Sequence, residues 1–411
     1  MPLNATFSAA SIRGYSAQSV NFWNPTQVVT ASDAGANDAF GTSLAVDSNN
    51  LYMAVSASGD NTGGNQGSVY IFFRGSGSWV QQQKITSPTT SLNFATRQLA
   101  MNANGDYLAI PDTQVNRVYV YTRVSSTWTL QATLTGSDTV AGDQFGRAIS
   151  ISSNGDYLVV GAPNADISGQ TDAGAAYIFI RSGTTWTQQA KLQASDRQAN
   201  DILGTSVVIN STGDFVALGA PQEDNVGSNA GATYFYTRSG TTWTQRNKVQ
   251  SSDVSANDNF GGSLSISADN LYLIIGARGD NGDSGSVYVF NYIGGSIVYT
   301  QGAKVTPNIP IAGQLFGTNS DINFDGTRMV VSVESNSADG QSVYLFERSG
   351  STWTQSFQIV VNNQSQYFGL GSDGPVPGIV VGTSNPNIII CDFGADAGAG
   401  NLSGVVNYFN L

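Results

Sequence analysis

Residues 184–240 read TTWTQQAKLQASDRQANDILGTSVVINSTGDFVALGAPQEDNVGSNAGATYFYTRSG, and this stretch decides the fold. It contains, in order, an apolar strand, an acidic turn, two strands joined by a tight turn, an acidic loop and a further strand. In the strands, β-branched and aromatic residues recur at every second position, which is typical of half-buried strands. The stretch therefore predicts one unit of four short strands.

The same unit recurs along the whole chain, and tryptophan marks it most clearly. Five of the 6 tryptophans open a strand of the W-T-Q type, Tyr299 takes the tryptophan position in YTQGAKV, and Trp23 opens WNPTQVV. All lysines of the chain occupy one position of this strand. Strands such as SVYIF (68–72) and Phe-Gly pairs such as Phe145-Gly146 recur with the same period. These markers predict an all-β, seven-bladed β-propeller of four-stranded antiparallel blades.

The two ends of the chain predict how the ring closes. Residues 23–33 match the outer strand and its following turn, but no strands of the same unit precede them. The last unit, about residues 377–411, stops after its third strand. We expect the N-terminal strand to complete this C-terminal blade, which removes a free sheet edge. The chain then divides into an N-terminal arm, residues 1–22, and a propeller, residues 23–411.

The pattern F-G-x-S…Y-L-V-V-G-A-P…A-Y-I-F-x-R-S-G-x-x-W-T-Q-x-x-K-L resembles the FG-GAP repeat of integrin α-subunit propellers. It is most similar to the bacterial and phage-borne variant that has the W-T-Q outer strand. The resemblance covers residues 23–411 and implies the propeller fold. It does not imply one function, because the repeat serves adhesins, receptors and structural proteins.

Integrin-type repeats carry a calcium loop between the first two strands, and this chain departs from that pattern. The corresponding connections here are short, as in SNGD (153–156) and FDG (324–326). They lack three or more spaced oxygen side chains and instead suit tight turns with positive φ. We therefore expect no cofactor. Calcium would need another site, for which Asp280 and Asp283 are the weak candidates.

Composition excludes several classes of function. The net charge is −12, so the chain lacks the basic footprint of a nucleic-acid binder and does not suit an anionic membrane surface. No apolar run reaches the roughly 20 residues of a membrane helix, and the N-terminus lacks a signal-peptide pattern. With Cys391 as the only cysteine, an intrachain disulfide is impossible. We expect no nucleic acid partner, no membrane insertion and a place outside a cell or on a virion.

The topology of a four-stranded blade sorts its loops onto two faces. Inter-blade loops, which lead into the first strand, and mid-blade loops, between the second and third strands, leave one face. Most acidic residues lie in these loops, and Arg197 and Arg278 are the clear offsetting cations. The aspartates can act as turn formers that cap backbone N–H groups, or as a surface for a cation or a basic or hydroxyl-rich ligand. The candidate binding residues of this acidic face are Asp33, Asp38, Asp138, Asp143, Asp196, Asp201, Glu223, Asp224, Asp253, Asp258, Asp280 and Asp283.

A row of arginines at the ends of the third strands is expected on the opposite face. Each stands just before a Ser/Gly-rich turn. These side chains can stack on outer-strand tryptophans and cap carbonyls, or dock the ring onto a larger assembly. The candidate assembly residues are Arg74, Arg123, Arg181, Arg238 and Arg348.

The chain contains no histidine, no G-x-S-x-G elbow and no phosphate-binding loop, and its acids lie in repeat-equivalent positions. We therefore predict that it is not an enzyme. We predict a structural or binding module on a surface, in particular a phage or viral virion or tail-associated protein that uses its acidic loop face for attachment. The alternatives are a secreted or cell-surface adhesin and a carboxylate-based glycan-active enzyme. The expected partners are proteins of a larger assembly and a surface glycan or receptor.

Overall fold

The computed structural model describes residues 25–60, 67–293, 298–334, 342–360, 379–381, 387–392 and 404–410. The predicted N-terminal arm, residues 1–22, and the first part of the last unit, up to residue 378, lie outside the described residues. In the described part of the chain, no helix is long and apolar enough to cross a bilayer.

The fold is a seven-bladed β-propeller, as predicted from the repeats. Its strands form seven separate antiparallel sheets of four, and within each sheet consecutive strands pair as neighbours. Blades 1 to 3 are β2 (Phe40–Val46), β3 (Tyr52–Ala57), β4 (Ser68–Phe73) and β5 (Val80–Thr86); β6 (Ala100–Met101), β7 (Tyr107–Asp112), β8 (Arg117–Val124) and β9 (Thr127–Leu134); and β10 (Ile149–Ile151), β11 (Tyr157–Ala162), β12 (Ala175–Ser182) and β13 (Thr185–Leu192).

Blades 4 to 6 repeat this plan, and a short helical turn, α1 (Asp280–Asp283), interrupts blade 5. First strands of successive blades contact each other, so they line the axis of the ring. The strands of these blades are β14 (Ser206–Ile209), β15 (Phe215–Ala220), β16 (Ala232–Ser239) and β17 (Thr242–Val249); β18 (Phe260–Ile266), β19 (Tyr272–Ala277), β20 (Ser286–Ile293) and β21 (Val298–Val305); and β22 (Asn319–Ile322), β23 (Arg328–Ser332), β24 (Ser342–Ser349) and β25 (Thr352–Val360).

Blade 7 is shared between the two ends of the chain. Its inner three strands are β26 (Ile379–Val381), β27 (Asn387–Asp392) and β28 (Val405–Asn410), and its outer strand is β1 (Gln27–Val29). β1 pairs antiparallel with β28. The predicted closure of the ring by the N-terminal strand is therefore confirmed, and it removes the edge that β28 would otherwise expose.

The hydrophobic core lies between the blades. Each of the apolar clusters in the described residues joins two successive blades, so every sheet is buried on both faces. In one of them, Val118 and Val120 of blade 2 pack with Phe145 and Tyr177 of blade 3. The rings of Phe145 and Tyr177 meet edge to face at 5.5 Å. The phenylalanine of the Phe-Gly pair thus anchors the aromatic third strand of its own blade.

The glycines of the repeat bring neighbouring backbones into direct contact. A Cβ added at Gly219, in β15, would lie 2.0 Å from the carbonyl oxygen of Gly261 in the next blade. Gly161 and Gly276 face the following blade in the same way. Gly261 also has a φ of 90°, which side chains other than glycine rarely adopt. The blades therefore approach more closely near these positions than any side chain would allow.

We expect Gly219→Ala to lower the free energy of unfolding by about 2 kcal/mol or more, because its Cβ would overlap backbone that cannot rotate away. Gly262→Ala is the matched control, since its Cβ meets only one atom, the Asn259 oxygen at 3.2 Å. Denaturant unfolding followed by tryptophan fluorescence measures both. Equal losses in the two variants would contradict the contact between glycines.

Candidate functional site

Inter-blade and mid-blade loops meet on one face of the ring, which we call the loop face. In blade 4, Lys248 on the outer strand lies 2.8 Å from Asp196 of the inter-blade loop and 2.7 Å from Glu223 of the mid-blade loop. Lys84 and Lys304 also each contact two carboxylates, one from each kind of loop. Lys191 contacts Asp138 at 2.6 Å. Lys84, Lys248 and Lys304 thus each join an inter-blade loop to a mid-blade loop, and Lys191 binds an inter-blade loop to its outer strand.

These lysines offset the acidity of the loop face, which corrects the expectation that Arg197 and Arg278 are its clear cations. The sequence contained the signal, because the lysines share one strand position and the Ser-Asp pairs share one loop position. It did not reveal that the two positions meet, because they lie far apart along the chain. Asp196 follows the outer strand of blade 3 and Lys248 lies on the outer strand of blade 4, 52 residues later.

The first aspartate of each inter-blade loop is held ionised. Burial by itself would raise the pKa of these carboxyls, but the hydrogen bond and charge of the neighbouring lysine bring the pKa below its ordinary value. A buried third-strand tyrosine donates to the same carboxylate in two blades, Tyr177 to Asp138 and Tyr288 to Asp253. The residues concerned are Asp33, Asp138, Asp196 and Asp253.

The second aspartate of each loop is buried and closes a turn. Asp201 accepts a hydrogen bond from the backbone N–H of Gln198 at 2.6 Å, and Asp38 accepts one from Gly35 at 2.6 Å. Asp143 and Asp258 make the same contact. Burial raises the pKa of all of them, and that of Asp201 reaches about 6. Their geometry is that of turn formers.

The mid-blade acids have mixed surroundings. Glu223 is buried against Lys248, and Asp224 accepts a hydrogen bond from the Asn229 backbone at 2.6 Å. Asp280 is buried and lies 2.6 Å from Lys304, whereas Asp283 is exposed. Among the described residues, no group of three or more carboxylate, cysteine or histidine side chains is arranged to hold a metal ion.

A glutamine clasp joins the outer strands of neighbouring blades. Gln245 of blade 4 accepts a hydrogen bond from the backbone N–H of Ser195 at 2.9 Å and donates to its hydroxyl at 3.0 Å. Because Asp196 follows Ser195, one Ser-Asp pair binds both the glutamine and the lysine of the next W-T-Q-x-x-K strand. The same clasp is made by Gln81, Gln188 and Gln301, and its backbone half by Gln355.

The arginine row lies on the opposite face, which we call the turn face. Arg181 donates from Nε to the Gly155 carbonyl at 2.9 Å, and its guanidinium lies 4.3 Å from the ring centre of Tyr107 in the preceding blade. Arg123, Arg238 and Arg348 repeat both contacts, and Arg74 stacks on Trp79 and Tyr408. These arginines are built into the blade-to-blade contact; docking to an assembly stays a prediction.

An axial cavity of about 560 Å³ opens within the loop face. Inter-blade and mid-blade loops of blades 2 to 6 line it, and sequence reasoning did not single it out. Three arginines contribute to its wall, namely Arg97, Arg147 and Arg278. Five side-chain amides line it as well, namely Gln144, Asn164, Asn200, Gln222 and Asn259. A second cavity, about 310 Å³, is formed by the first strands and their turns and has many apolar side chains in its wall.

Comparison with known proteins supports the repeat assignment. One family model, the FG-GAP repeat, matches residues 23–72, 128–179, 186–236 and 243–290. No curated protein matches the chain.

Solved propellers share the fold at low sequence identity. The periplasmic gluconolactonase of Pseudomonas aeruginosa is 15% identical with a TM-score of 0.54, covering 82% of this chain and 88% of its own. A protein provisionally named 6-phosphogluconolactonase from Bacteroides uniformis is 12% identical with a TM-score of 0.55, covering 81% and 88%. Saccharomyces cerevisiae Sqt1 is 11% identical with a TM-score of 0.51, covering 95% and 100%.

These similarities contradict the prediction that the chain is not an enzyme. Two of the three propellers carry the names of lactonases, so the architecture does not set this chain apart from enzymes. That prediction relied on the absence of histidine and of known catalytic motifs and on the repeat-equivalent placement of the acids, and none of these excludes a site built from other side chains. At sequence identities this low, the similarity to these structures shows only that the fold is shared.

We expect Lys248→Met to lower the free energy of unfolding at pH 7 by about 3 kcal/mol, because buried Glu223 loses its counter-charge. Lys191→Met is the matched control, with a loss below about 1 kcal/mol, since its partner Asp138 is 55% exposed. Denaturant titrations at several pH values measure both.

The share of the Lys248 effect that comes from its ion pair with Asp196 should also depend on pH. Because the pKa of Asp196 is lowered in the folded protein, the ion pair stabilises fully above the ordinary value of 3.8. Its contribution is lost as the pH falls through the lowered pKa, so the difference from the parent protein should shrink there. A difference independent of pH down to acid unfolding would contradict the ion-pair mechanism.

Proposed function

Since this chain is built from FG-GAP repeats and folds as a seven-bladed β-propeller, we propose that it is a recognition module that binds a hydroxyl-rich ligand, a glycan, on its loop face. The observation that carries this proposal is the axial cavity, with five side-chain amides in its wall. Each amide offers both donors and an acceptor, which is what sugar hydroxyls need. A rigid ring that holds variable loops is a suitable platform for such binding.

The chemistry of the loop face favours a glycan over a basic partner. The first aspartates are engaged by lysines, and the second aspartates close turns. The acidic residues that we expected to meet a ligand therefore form the frame of the face. The cavity at its centre offers neutral amides and arginines, and its volume lies within the range of pockets for small ligands.

The location of the protein is a further part of the proposal. We infer that it acts on the exterior of a virion or tail, in a larger assembly, or alternatively on a cell surface as an adhesin. The support is compositional: only 11% of residues are charged, and the surface-forming loops are rich in uncharged polar residues. Arg74, Arg123, Arg181, Arg238 and Arg348 then face the assembly, while the loop face meets the glycan.

Hydrolysis of a sugar lactone is a second candidate function. The observation that favours it is the axial cavity in a fold shared with proteins named as gluconolactonases. Proton release from glucono-δ-lactone, measured against the buffer rate, tests it. Faster release by the protein, reduced in Gln222→Ala, would add catalysis to the same cavity, and a rate equal to buffer would remove this candidate.

We expect the full chain to bind a subset of structures on a glycan array. Gln222→Ala should weaken that binding about tenfold, because Gln222 is exposed and lines the cavity, and one hydrogen bond to ligand is worth roughly 1 kcal/mol. Gln82→Ala is the matched control, an exposed glutamine on outer strand β5. An array without signal, or equal loss in both variants, would contradict glycan binding by the loop face.

The location is tested by particle incorporation. If the chain is a virion component, deleting residues 1–20 should abolish its incorporation, because that arm precedes the ring and would join a neighbour. The melting curve of the purified truncation serves as the control for folding. Incorporation at the level of the full chain would contradict the assembly role of the arm.

A further inference from the structure

The axial cavity differs in charge from the rest of the protein. Among the residues that the structure describes, its wall contains three arginines and one acidic residue, Asp172, in a chain of net charge −12. The aspartates bound by lysine do not line the cavity, because the lysines stand on the fourth strands, at the rim of the ring. In the described part of the chain, the loop face therefore has a rim of lysine–aspartate ion pairs and a centre that contains arginines.

Arg147 is a departure from the repeat pattern. It follows Phe145-Gly146, where blades 4 and 6 have threonines and blade 5 has Gly262. Those threonines serve the turn: Thr205 donates to the Ile202 carbonyl and Thr318 to the Leu315 carbonyl, both at 2.7 Å. Arg147 has no hydroxyl to make this hydrogen bond, and its guanidinium forms part of the cavity wall.

Arg278 is a second, independent departure. It stands where Pro163 and Pro221 end the G-A-P segment of blades 3 and 4. Its guanidinium lies 3.5 Å from Glu334, and its side chain is 39% exposed, so further donors are open to a ligand. Two different repeat positions, in blades 3 and 5, have therefore changed to arginine at the same cavity, together with Arg97 from blade 2.

The donors of this wall match one class of ligand. Guanidinium groups bind oxyanions through paired N–H donors, and such charge-assisted hydrogen bonds strengthen where water is excluded. Arg147 is only 7% exposed. Amides such as Gln222 and Asn164 supply the partners for hydroxyl groups in the same wall.

We propose that the axial cavity is a binding site for an anionic sugar, whose oxyanion is bound by Arg97, Arg147 and Arg278 and whose hydroxyls are bound by the amides. This proposal rests on the proposed glycan recognition and names the ligand class of that site. The oxyanion is a carboxylate, as in a uronic acid, or a phosphate.

Titration of the full chain with D-glucuronate, glucose 6-phosphate and D-glucose tests this site, by calorimetry or by ligand-observed NMR. We expect each anionic sugar to bind at least about tenfold more tightly than glucose, the difference that one charged hydrogen bond supplies. The tighter of the two anionic probes identifies carboxylate or phosphate as the oxyanion. Raising the salt concentration should weaken only the anionic probes.

Arg278→Gln and Arg97→Gln should each weaken binding of the anionic sugar about tenfold and leave glucose unchanged. Arg197→Gln is the matched control, because Arg197 lies on the same face but outside the cavity wall, against Ala194 and Ser168. These variants avoid Arg147, whose burial makes its replacement a risk to folding.

Equal affinity for glucose and the anionic sugars, or equal weakening by Arg197→Gln, would overturn the anionic-sugar site. If neutral glycans still bind the array and Gln222→Ala weakens that binding, glycan recognition stands and only this inference fails. If neither the array nor the three probes bind, both fail.

Discussion

The closest contact between neighbouring blades is made by backbone, and the closure of the ring depends on it. Two packed sheets normally lie about 10 Å apart because side chains separate them. Where Gly219 faces Gly261, an added Cβ would come within 2.0 Å of a carbonyl oxygen, so the sheets are much closer there. Toward the third strands, rings such as Phe145 and Tyr177 fill a wider gap. The interfaces built on Gly161, Gly219 and Gly276 are therefore narrow at the glycines and wide at the aromatic rings, which curves the row of blades toward a closed ring.

The rim of the ring is held by a second device, which also sets the electrostatics of the loop face. One Ser-Asp pair, as in Ser195-Asp196, binds a glutamine and a lysine from the next outer strand. The lysine in turn binds a mid-blade carboxylate such as Glu223. The acidic composition of the chain thus becomes a set of ion pairs that connect blades. The polar side chains that are left to bind a ligand line the axial cavity.

A repeat protein separates what the fold needs from what the site needs. Positions that hold blades together recur in several blades, as the glycines, the outer-strand glutamine and the lysine do. Positions where a single blade differs from the others are not needed for the contacts between blades that the repeat provides. Arg147 and Arg278 occupy such positions. Both changes place a cation in the wall of the axial cavity. A local alignment of the blades against one another therefore separates candidate ligand contacts from structural residues.

The sequence by itself determined the seven blades, their four strands, the closure through β1 and the two faces, because period-two apolar alternation and turn residues are local properties that each repeat encodes again. It did not determine which charges meet. Lys248 and Asp196 are 52 residues apart and join different blades, and Arg97, Arg147 and Arg278 come from three blades. Only the packing of the blades brings these groups together, because a repeat shows which positions are equivalent but not which positions of neighbouring blades touch.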